Sequence, residues 1–184
     1  MRPFFFLLTV FITGCANAPK VHEIVLLRID NSETKIEPTK NNLTVVYFLS
    51  PECPLCINYT LVMRELETEF ASDSLEFYGV FSKEWYSSRD VADFQSKYGL
   101  GFDMLFDIQN TLAYALKASV TPEVFVLNSD GNVVYSGKID DWVNDLGKKK
   151  LAVSNHYLEN AIQLALDGKE ITPAYTEPIG CLIE

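Results

Sequence analysis

The sequence predicts an α/β fold in which a central mixed sheet is flanked by helices. Short runs rich in β-branched and aromatic residues, such as 43–48, alternate along the chain with segments whose apolar residues recur at helical spacing. The last two of these runs, 123–127 and 133–137, are joined by Asn128-Ser129-Asp130-Gly131, a turn sequence typical of an antiparallel hairpin. The length of 184 residues suits one domain with a sizeable core. Strands that alternate with helices and end in a hairpin indicate a sheet with both parallel and antiparallel neighbours.

The N-terminal residues 1–14 are predicted to be a signal peptide. Arg2 precedes the run 4–12, which is apolar except for one threonine, and small residues follow it. This run is far shorter than the roughly 20 residues that a helix needs to span a bilayer. We therefore expect an exported protein and no membrane-spanning helix here.

The sequence Ile12-Thr13-Gly14-Cys15 resembles the lipobox of bacterial lipoproteins, in which the cysteine becomes the acylated first residue of the mature chain. Several acyl chains bury enough methylene groups for stable membrane attachment, so lipidation of Cys15 would anchor the protein. The expected location is the bacterial cell envelope, on the periplasmic or extracytoplasmic side. The alternative is an ordinary signal peptide cleaved near Ala16 or Ala18.

Residues 15–41 are predicted to form a lipid-anchored tether with an accessory strand or hairpin. The segment 23–29 is short and largely apolar, and Asp30-Asn31-Ser32 after it is a turn signal. The main domain is expected to cover 42–168, and 169–184 to form a C-terminal tail.

The main domain is predicted to begin with a buried central strand, because 43–48 is rich in valine and aromatic residues. Pro54 suits the first position of a helix, and apolar residues recur at helical spacing after it. The expected order is strand 43–48, helix 55–70, strand 75–81, helix 88–98, apolar segment 102–106, helix 111–118, strands 123–127 and 133–137, and a last helix that begins near 157 and ends at Gly168.

Cys53 and Cys56 lie where the first strand of the main domain meets its first helix. A cysteine in the first turn of a helix lies near unpaired backbone amides and the positive end of the helix dipole, which favour the thiolate. Cys56 lies about one turn further on and can reach the sulfur of Cys53, so it can resolve a mixed disulfide formed there. The pattern predicts Cys53 as a catalytic nucleophile and Cys56 as its resolving thiol.

A metal site and inert packing are the two other interpretations of this cysteine pair. A zinc site usually takes four ligands from Cys and His. The remaining candidates, His22, His156 and Cys181, are not paired at ligand spacing. Without Cys15 the chain has an odd number of cysteines, which in an exported protein favours exchange chemistry over a static disulfide framework. We expect no metal and no organic cofactor.

The motif Cys53-Pro54-Leu55-Cys56 after an apolar strand, with Val120-Thr121-Pro122 opening a later strand, resembles the thioredoxin-like superfamily. The extra segment before Thr121 is similar to the exported redoxin-domain branch, which includes TlpA-like and AhpC/TSA-like proteins. The resemblance covers roughly 42–168 and implies a thioredoxin-like fold and thiol:disulfide oxidoreductase activity. It also implies a cis peptide bond before Pro122, with the Thr121-Pro122 loop lying against the Cys53 sulfur and binding the backbone of a partner chain.

The sequence departs from thioredoxin at two positions near the motif. Tyr47, six residues before Cys53, stands where thioredoxin has a buried acid, so proton transfer at Cys56 has no obvious base. Glu52 replaces the tryptophan that is common just before the motif. Its negative charge opposes a very low pKa at Cys53, so we expect a modestly acidic thiol.

Ser50 makes thiol peroxidase the main alternative activity, because a hydroxyl three residues before the cysteine resembles a peroxiredoxin site. Such sites also carry a proline four residues before the hydroxyl, where this chain has Val46. A second alternative is a non-enzymatic copper or assembly factor on the same fold. Such copper modules space their cysteines more widely and add a histidine, which residues 110–122 lack.

Cys181 is a candidate third redox thiol. Gly180 beside it permits a tight backbone approach, and the tail from Pro178 to Ile183 is similar to one in some exported redoxin-domain proteins. We expect the tail to fold back so that Cys181 can form a disulfide with Cys53. The alternative is that Cys181 is only a small apolar residue beside other apolar residues.

The net charge of −10 argues against nucleic acid as a partner and against electrostatic docking on anionic lipid. The one basic cluster, Lys148-Lys149-Lys150, is interpreted as a solvated turn, Asp140-Asp141 as local hydrogen-bond acceptors, and Trp142 as a packing residue. The expected partners are the thiols or disulfides of client proteins, a membrane or envelope redox partner, and the membrane itself through the lipid anchor.

Overall fold

The computed structural model describes residues 19–37, 43–70, 75–82, 84–145 and 147–183. The predicted signal peptide and lipidated Cys15 lie outside these residues. The helices are α1 (Pro54–Glu69), α2 (Ser88–Tyr98), α3 (Thr111–Leu116) and α4 (Tyr157–Leu166). The strands are β1 (Leu26–Arg28), β2 (Glu33–Thr34), β3 (Leu43–Phe48), β4 (Leu75–Ser82), β5 (Asp103–Asp107), β6 (Val120–Thr121), β7 (Glu123–Leu127), β8 (Val133–Gly137), β9 (Val143–Asp145), β10 (Lys148–Lys149) and β11 (Cys181–Leu182).

The main sheet, within the described ranges, contains seven strands in the order β2-β1-β5-β4-β3-β7-β8. Strand β3 is central, parallel to β4 and antiparallel to β7. The final hairpin of β7 and β8 is antiparallel, as predicted. The predicted α/β fold with a central mixed sheet flanked by helices is confirmed. The accessory hairpin forms as well, and β1 extends the main sheet by pairing with β5.

The core lies on both faces of the sheet because successive side chains of β3 point to opposite sides. Val45 and Tyr47 join one apolar cluster with residues of α1, α2 and α4. Val46 and Phe48 join a second cluster with residues of α3 and β1. All six residues of β3 are buried, as expected for a central strand covered on both faces.

Tyr47 is fully buried in an aromatic cluster with Phe77 and Phe102. Its hydroxyl has no hydrogen-bond partner in the described part of the chain. Burial, together with the charge of Glu67, raises the pKa of this phenol, so it stays protonated. At the position of the missing acid the chain therefore holds a packing residue.

In the basic cluster Lys148-Lys149-Lys150, Lys148 and Lys149 are solvent-exposed as predicted, but they form a short strand and not a turn. Two of the lysines form β10, which pairs with β9, and Lys149 lies over the Trp142 ring at 4.5 Å. Lys150 forms an ion pair with the buried Asp141. A two-residue strand has no periodicity that a sequence pattern could reveal, and the partner of Lys150 is set by the fold.

No helix among the described residues is both long enough and apolar enough to cross a bilayer.

Candidate functional site

Cys53 is the N-cap residue of α1, and the local sequence explains why the helix begins there. Its backbone is extended, with φ −75° and ψ 117°, while its carbonyl already accepts a hydrogen bond from Ile57 N at 3.1 Å. Pro54 at the first helical position needs no hydrogen bond and holds a helical φ. The residue is only 2% exposed, and it borders a cavity of about 370 Å³.

The Thr121-Pro122 peptide bond is cis, as the resemblance implied. The carbonyl oxygen of Thr121 accepts a hydrogen bond from the Cys53 thiol at a distance of 3.1 Å. The structure therefore brings this loop against the Cys53 sulfur. A second cis bond precedes Pro173 in the tail.

Glu123 holds this loop in place, a role that the sequence analysis missed. Its buried carboxylate accepts hydrogen bonds from Ser119 N at 2.8 Å and Val120 N at 3.3 Å. Burial is the main cause that raises the pKa of Glu123, and these backbone donors partly oppose it. A charged residue at the first position of an otherwise apolar strand was the signal available in the sequence.

The C-terminal tail folds back onto the same loop. Strand β11 pairs antiparallel with β6, which places Cys181 opposite Thr121. A Cβ atom on Gly180 would overlap the carbonyl oxygen of Thr121, so the close approach expected at this glycine is present. Beyond the strand, Ile183 N donates to Ser119 O at 3.0 Å.

Three free thiols, Cys53, Cys56 and Cys181, therefore meet at one place. The thiols of Cys56 and Cys181 both lie within hydrogen-bonding reach of the Cys53 sulfur. The three cysteines come from the start of α1, from its first turn and from the C-terminal strand. The geometry suits thiol–disulfide exchange, which needs sulfur atoms that can reach one another.

Comparison with known proteins places the chain among redox proteins of this architecture. A model of the AhpC/TSA family matches residues 18–136, more than half of the chain. The chain belongs to the AhpC/TSA family. No curated protein sequence matches it. Membership of this family supports a redox role in general.

Solved structures similar to this AhpC/TSA-family chain establish its fold. An uncharacterized conserved protein from Geobacillus kaustophilus has a TM-score of 0.77 and 23% identity, over 91% of this chain and 89% of its own. A hypothetical protein from Sinorhizobium meliloti 1021 has the same score and identity, over 93% and 95%. The thioredoxin domain of a thiol-disulfide oxidoreductase from Bacteroides vulgatus has a TM-score of 0.58 and 14% identity, over 82% and 96%. The fold is thioredoxin-like, as the sequence predicted.

The three thiols of this AhpC/TSA-family protein differ in acidity. Hydrogen bonds from Cys56 and then Cys181 lower the pKa of Cys53 well below its usual value. Burial, with the neighbouring Cys53 adding to it, raises the pKa of Cys56. Burial is also the main cause that raises the pKa of Cys181 to about 11, and its hydrogen bond with Cys53 is the second cause. Cys53 is therefore the most acidic of the three thiols. Once ionised, it accepts hydrogen bonds from the other two and no longer donates to Thr121 O.

The pKa of Cys53 is lower than we expected from the sequence, which predicted a modestly acidic thiol. Glu52 is exposed, so water screens its charge. The hydrogen bonds from Cys56 and Cys181 outweigh that charge. The donor on Cys181 depends on tail folding, which local sequence patterns do not specify.

Ser50 and Tyr86 form a pair of hydrogen-bonded hydroxyls beside the thiols. The sequence did not predict this pair. Ser50 Oγ and Tyr86 OH are 2.8 Å apart, and Ser50 N points at the Cys56 sulfur at 3.5 Å. The Ser50 hydroxyl, expected to serve Cys53 in a peroxidase site, is thus engaged with Tyr86. Tyr86 precedes the N-cap of α2 and is remote in sequence, so no local pattern pairs it with Ser50.

The cavity beside Cys53 has both polar and apolar walls. Its lining residues include Phe48, Val80, Ala113, Asp107 and Ile183. Asp107 accepts hydrogen bonds from two backbone amides at the start of α3. Burial raises the pKa of this carboxyl, although both amides oppose the shift. The pocket can admit an apolar side chain next to a cysteine.

The described residues contain no group of three or more His, Cys, Asp or Glu side chains arranged to hold a metal ion.

Proposed function

We propose that this protein is a thiol:disulfide oxidoreductase that acts on exported proteins through Cys53 and Cys56. The observation that carries the proposal is the Cys53 sulfur itself. It lies at a helix start, within reach of two thiol donors, and against the Thr121-Pro122 loop. This is the arrangement that an attacking thiolate with a nearby resolving thiol needs.

In the reducing direction, the Cys53 thiolate attacks one sulfur of a client disulfide. The client S–S bond breaks, a Cys53–client disulfide forms, and the second client sulfur leaves as a thiolate that takes a proton from water. The lowered pKa of Cys53 keeps the attacking sulfur ionised at neutral pH. No electrons leave the pair of proteins in this step.

The second step releases the client. Cys56 loses its proton and attacks Cys53, so that the Cys53–Cys56 disulfide forms and the remaining client sulfur leaves as a thiolate. Two electrons have then moved from this protein to the client. Because exchange is reversible, the same steps run backwards when the client is the more reducing partner, and a membrane or envelope redox partner resets the pair.

Cys181 acts in this scheme as a third redox thiol. Its sulfur lies within hydrogen-bonding reach of Cys53, so an exchange step can give a Cys53–Cys181 disulfide that Cys56 then resolves. Mass mapping of protein equilibrated with a glutathione redox buffer should find both Cys53–Cys56 and Cys53–Cys181 peptides. Cys181 that remains alkylatable at every redox ratio would contradict this role.

We also propose that the protein works in the cell envelope, held by a lipid on Cys15. The signal-like segment 1–14 and the lipobox-like 12–15 support this location. Labelling with a radioactive fatty acid should mark the wild-type chain and leave a Cys15→Ser variant unmarked. Equal labelling of both would contradict lipidation at Cys15.

Disulfide reduction by purified protein tests the activity. With dithiothreitol as reductant, the protein should accelerate the reduction of insulin, which is followed as turbidity. Cys53→Ser should abolish the acceleration, since a serine hydroxyl does not attack sulfur under these conditions. Acceleration that survives in Cys53→Ser would contradict the proposal.

Thiol peroxidase is the second candidate, favoured by membership of the AhpC/TSA family. In that reaction the Cys53 thiolate attacks a peroxide oxygen, the O–O bond breaks, a sulfenic acid forms, and the leaving hydroxide takes a proton from the solvent to become water. Cys56 or Cys181 then condenses with the sulfenic acid, which releases water and leaves a disulfide. The engagement of Ser50 with Tyr86 weighs against it. A second-order rate with hydrogen peroxide no higher than that of free cysteine would remove this candidate.

A further inference from the structure

Segment 180–183 occupies the backbone edge beside the Cys53 sulfur. In the β11–β6 pair, Cys181 lies opposite Thr121 and Leu182 opposite Val120. Thr121 Oγ1 also donates to Cys181 O at 3.5 Å. The tail therefore lies across Cys53 as an extended strand with a cysteine at the point of reaction.

The position before that cysteine admits only a very small residue. A Cβ atom on Gly180 would overlap the Thr121 carbonyl oxygen and also crowd the carbonyl carbon of the same residue. Both are backbone atoms next to the cis bond, so they cannot move aside as a flexible side chain would. In any strand that occupies this edge, the residue before the cysteine must therefore be very small.

The two positions after the cysteine differ in how they are held. Leu182 is 77% exposed, so the position directly after the cysteine is nearly unrestricted. Ile183 packs against the apolar cluster that contains Phe48 and Leu112, and it borders the cavity. A strand on this edge is therefore bound more tightly when the residue two positions after its cysteine is apolar, because that side chain is buried.

The tail segment 180–183 is held lightly, whereas the chain just before it is held firmly. A ladder of two residue pairs, followed by one hydrogen bond from Ile183 N to Ser119 O, is a weak local structure. Upstream, Ser136 N donates to Ala174 O and Thr176 N donates to Ser136 O, both at 3.0 Å. The Thr176 hydroxyl accepts from Lys138 N at 2.9 Å. The tail end can therefore leave and return while 174–176 keeps it close.

We infer that segment 180–183 is a tethered occupant of the client-binding β6 edge, and that a client displaces it. The same fit makes this edge and the adjoining cavity select extended client segments of the type small residue, cysteine, any residue, apolar residue. This inference rests on the proposed oxidoreductase function, because it describes how that activity selects the cysteines that reach Cys53.

The test measures exchange with chromogenic peptides. The probe peptide is blocked at both ends, contains Gly-Cys-Ala-Ile, and carries thionitrobenzoate on its cysteine as a mixed disulfide. Attack by the Cys53 thiolate on the peptide sulfur forms a Cys53–peptide disulfide and releases coloured thionitrobenzoate. A matched peptide has valine in place of the glycine.

Every full-length protein in this test carries Cys181→Ser, so that the tail can block the site only by occupying it. A chain that ends at Ile179 should react with the glycine peptide about tenfold faster than the full chain, because the tethered competitor is gone. The shortened chain should also prefer the glycine peptide over the valine peptide by about tenfold. Gly180→Ala in the full chain should reproduce the faster reaction without any change of length.

Gly101→Ala is the matched control, because Gly101 has no positive φ and its Cβ would meet only the far end of the flexible Glu67 side chain. It should leave the peptide rates unchanged. Equal rates for the two peptides, or a full chain as fast as the shortened one, would overturn the docking site. Reaction with the small disulfide of thionitrobenzoate reports Cys53 reactivity alone. If that reaction and both peptide reactions fail in every variant, the oxidoreductase proposal itself is wrong.

Discussion

At the scale of single residues, the acidity of Cys53 comes from neighbours as well as from its helix. The helix start was foreseeable, since Pro54 and the motif mark it in the sequence. The hydrogen bonds from Cys56 and Cys181 lower the pKa of Cys53 further. The second of these donors comes from residue 181, which only the folded chain brings near.

Replacement of Cys181 tests its part in this acidity. Cys181→Ala removes a donor, so the pKa of Cys53 should rise and its alkylation should need a higher pH. At about pH 4, close to the lowered pKa of Cys53, we expect the rate of Cys53 modification by iodoacetamide to fall about threefold or more, because the thiolate fraction falls. The measurement is the pH profile of the Cys53-containing peptide by mass spectrometry.

Cys181→Ser is the matched variant, because its hydroxyl keeps a donor at the same position. Its pH profile should lie closer to that of the wild type than to that of Cys181→Ala. Identical profiles for the alanine variant and the wild type would show that Cys181 does not stabilise the thiolate.

At the scale of elements, local patterns predicted those segments whose own residues determine their structure. The strand 43–48, the helix after Pro54 and the hairpin around 128–131 formed as expected. The short strands β9, β10 and β11 were missed, because two or three residues have no measurable periodicity and pair only after the chain has folded. The charge of Glu123 stood out at the start of an apolar strand, but its hydrogen bonds from Ser119 N and Val120 N are set by the folded loop, so its loop-holding role was missed.

The attachment of the tail to β8 depends on the hydroxyl of Thr176. This hydroxyl lies 2.8 Å from Tyr135 OH and accepts from Lys138 N at 2.9 Å. Thr176→Val keeps the shape and leaves the Lys138 amide without this partner, which should lower the free energy of unfolding by about 1 to 3 kcal/mol. Urea unfolding of the reduced protein measures the change.

Thr176→Ser retains the hydroxyl and serves as the control for the hydrogen bonds. We expect its free energy of unfolding to stay within about 1 kcal/mol of the wild type, since only a methyl group is lost. If the valine variant is as stable as the wild type, the hydrogen bonds of Thr176 do not hold the tail.

Glu123 should make stability depend on pH. Its pKa is raised in the folded protein, so its contribution is fully present below the ordinary glutamate pKa and is lost as the pH rises through the folded value. Glu123→Gln keeps an acceptor oxygen and removes the buried charge. Between about pH 4 and about pH 8, the wild type should therefore lose stability relative to this variant.

Urea unfolding at both pH values, with Glu65→Gln as a control, isolates this effect. Glu65 is exposed on α1, so its replacement removes one carboxylate without touching the loop. A constant difference between Glu123→Gln and the wild type at both pH values would contradict the raised pKa.

At the scale of the whole molecule, the site is assembled from parts that are far apart in the chain. Cys53, Thr121 and Cys181 meet because the sheet places β3 beside β7 and because the tail returns along β8. The sequence identified all three residues, the first two through paired motifs and the third through its neighbour Gly180. It did not specify the β11–β6 pairing, which places Cys181 opposite Thr121.

The central claim is that Cys53 exchanges disulfides with client proteins, and trapping tests it most directly. A Cys56→Ser, Cys181→Ser variant has no second thiol to resolve the mixed disulfide, so clients should remain attached to Cys53. In cells that export this variant, non-reducing gels should show discrete adducts that reductant removes. They should be absent when Cys53 is also changed to serine. Normal export of the variant without any Cys53-dependent adduct would contradict the oxidoreductase function.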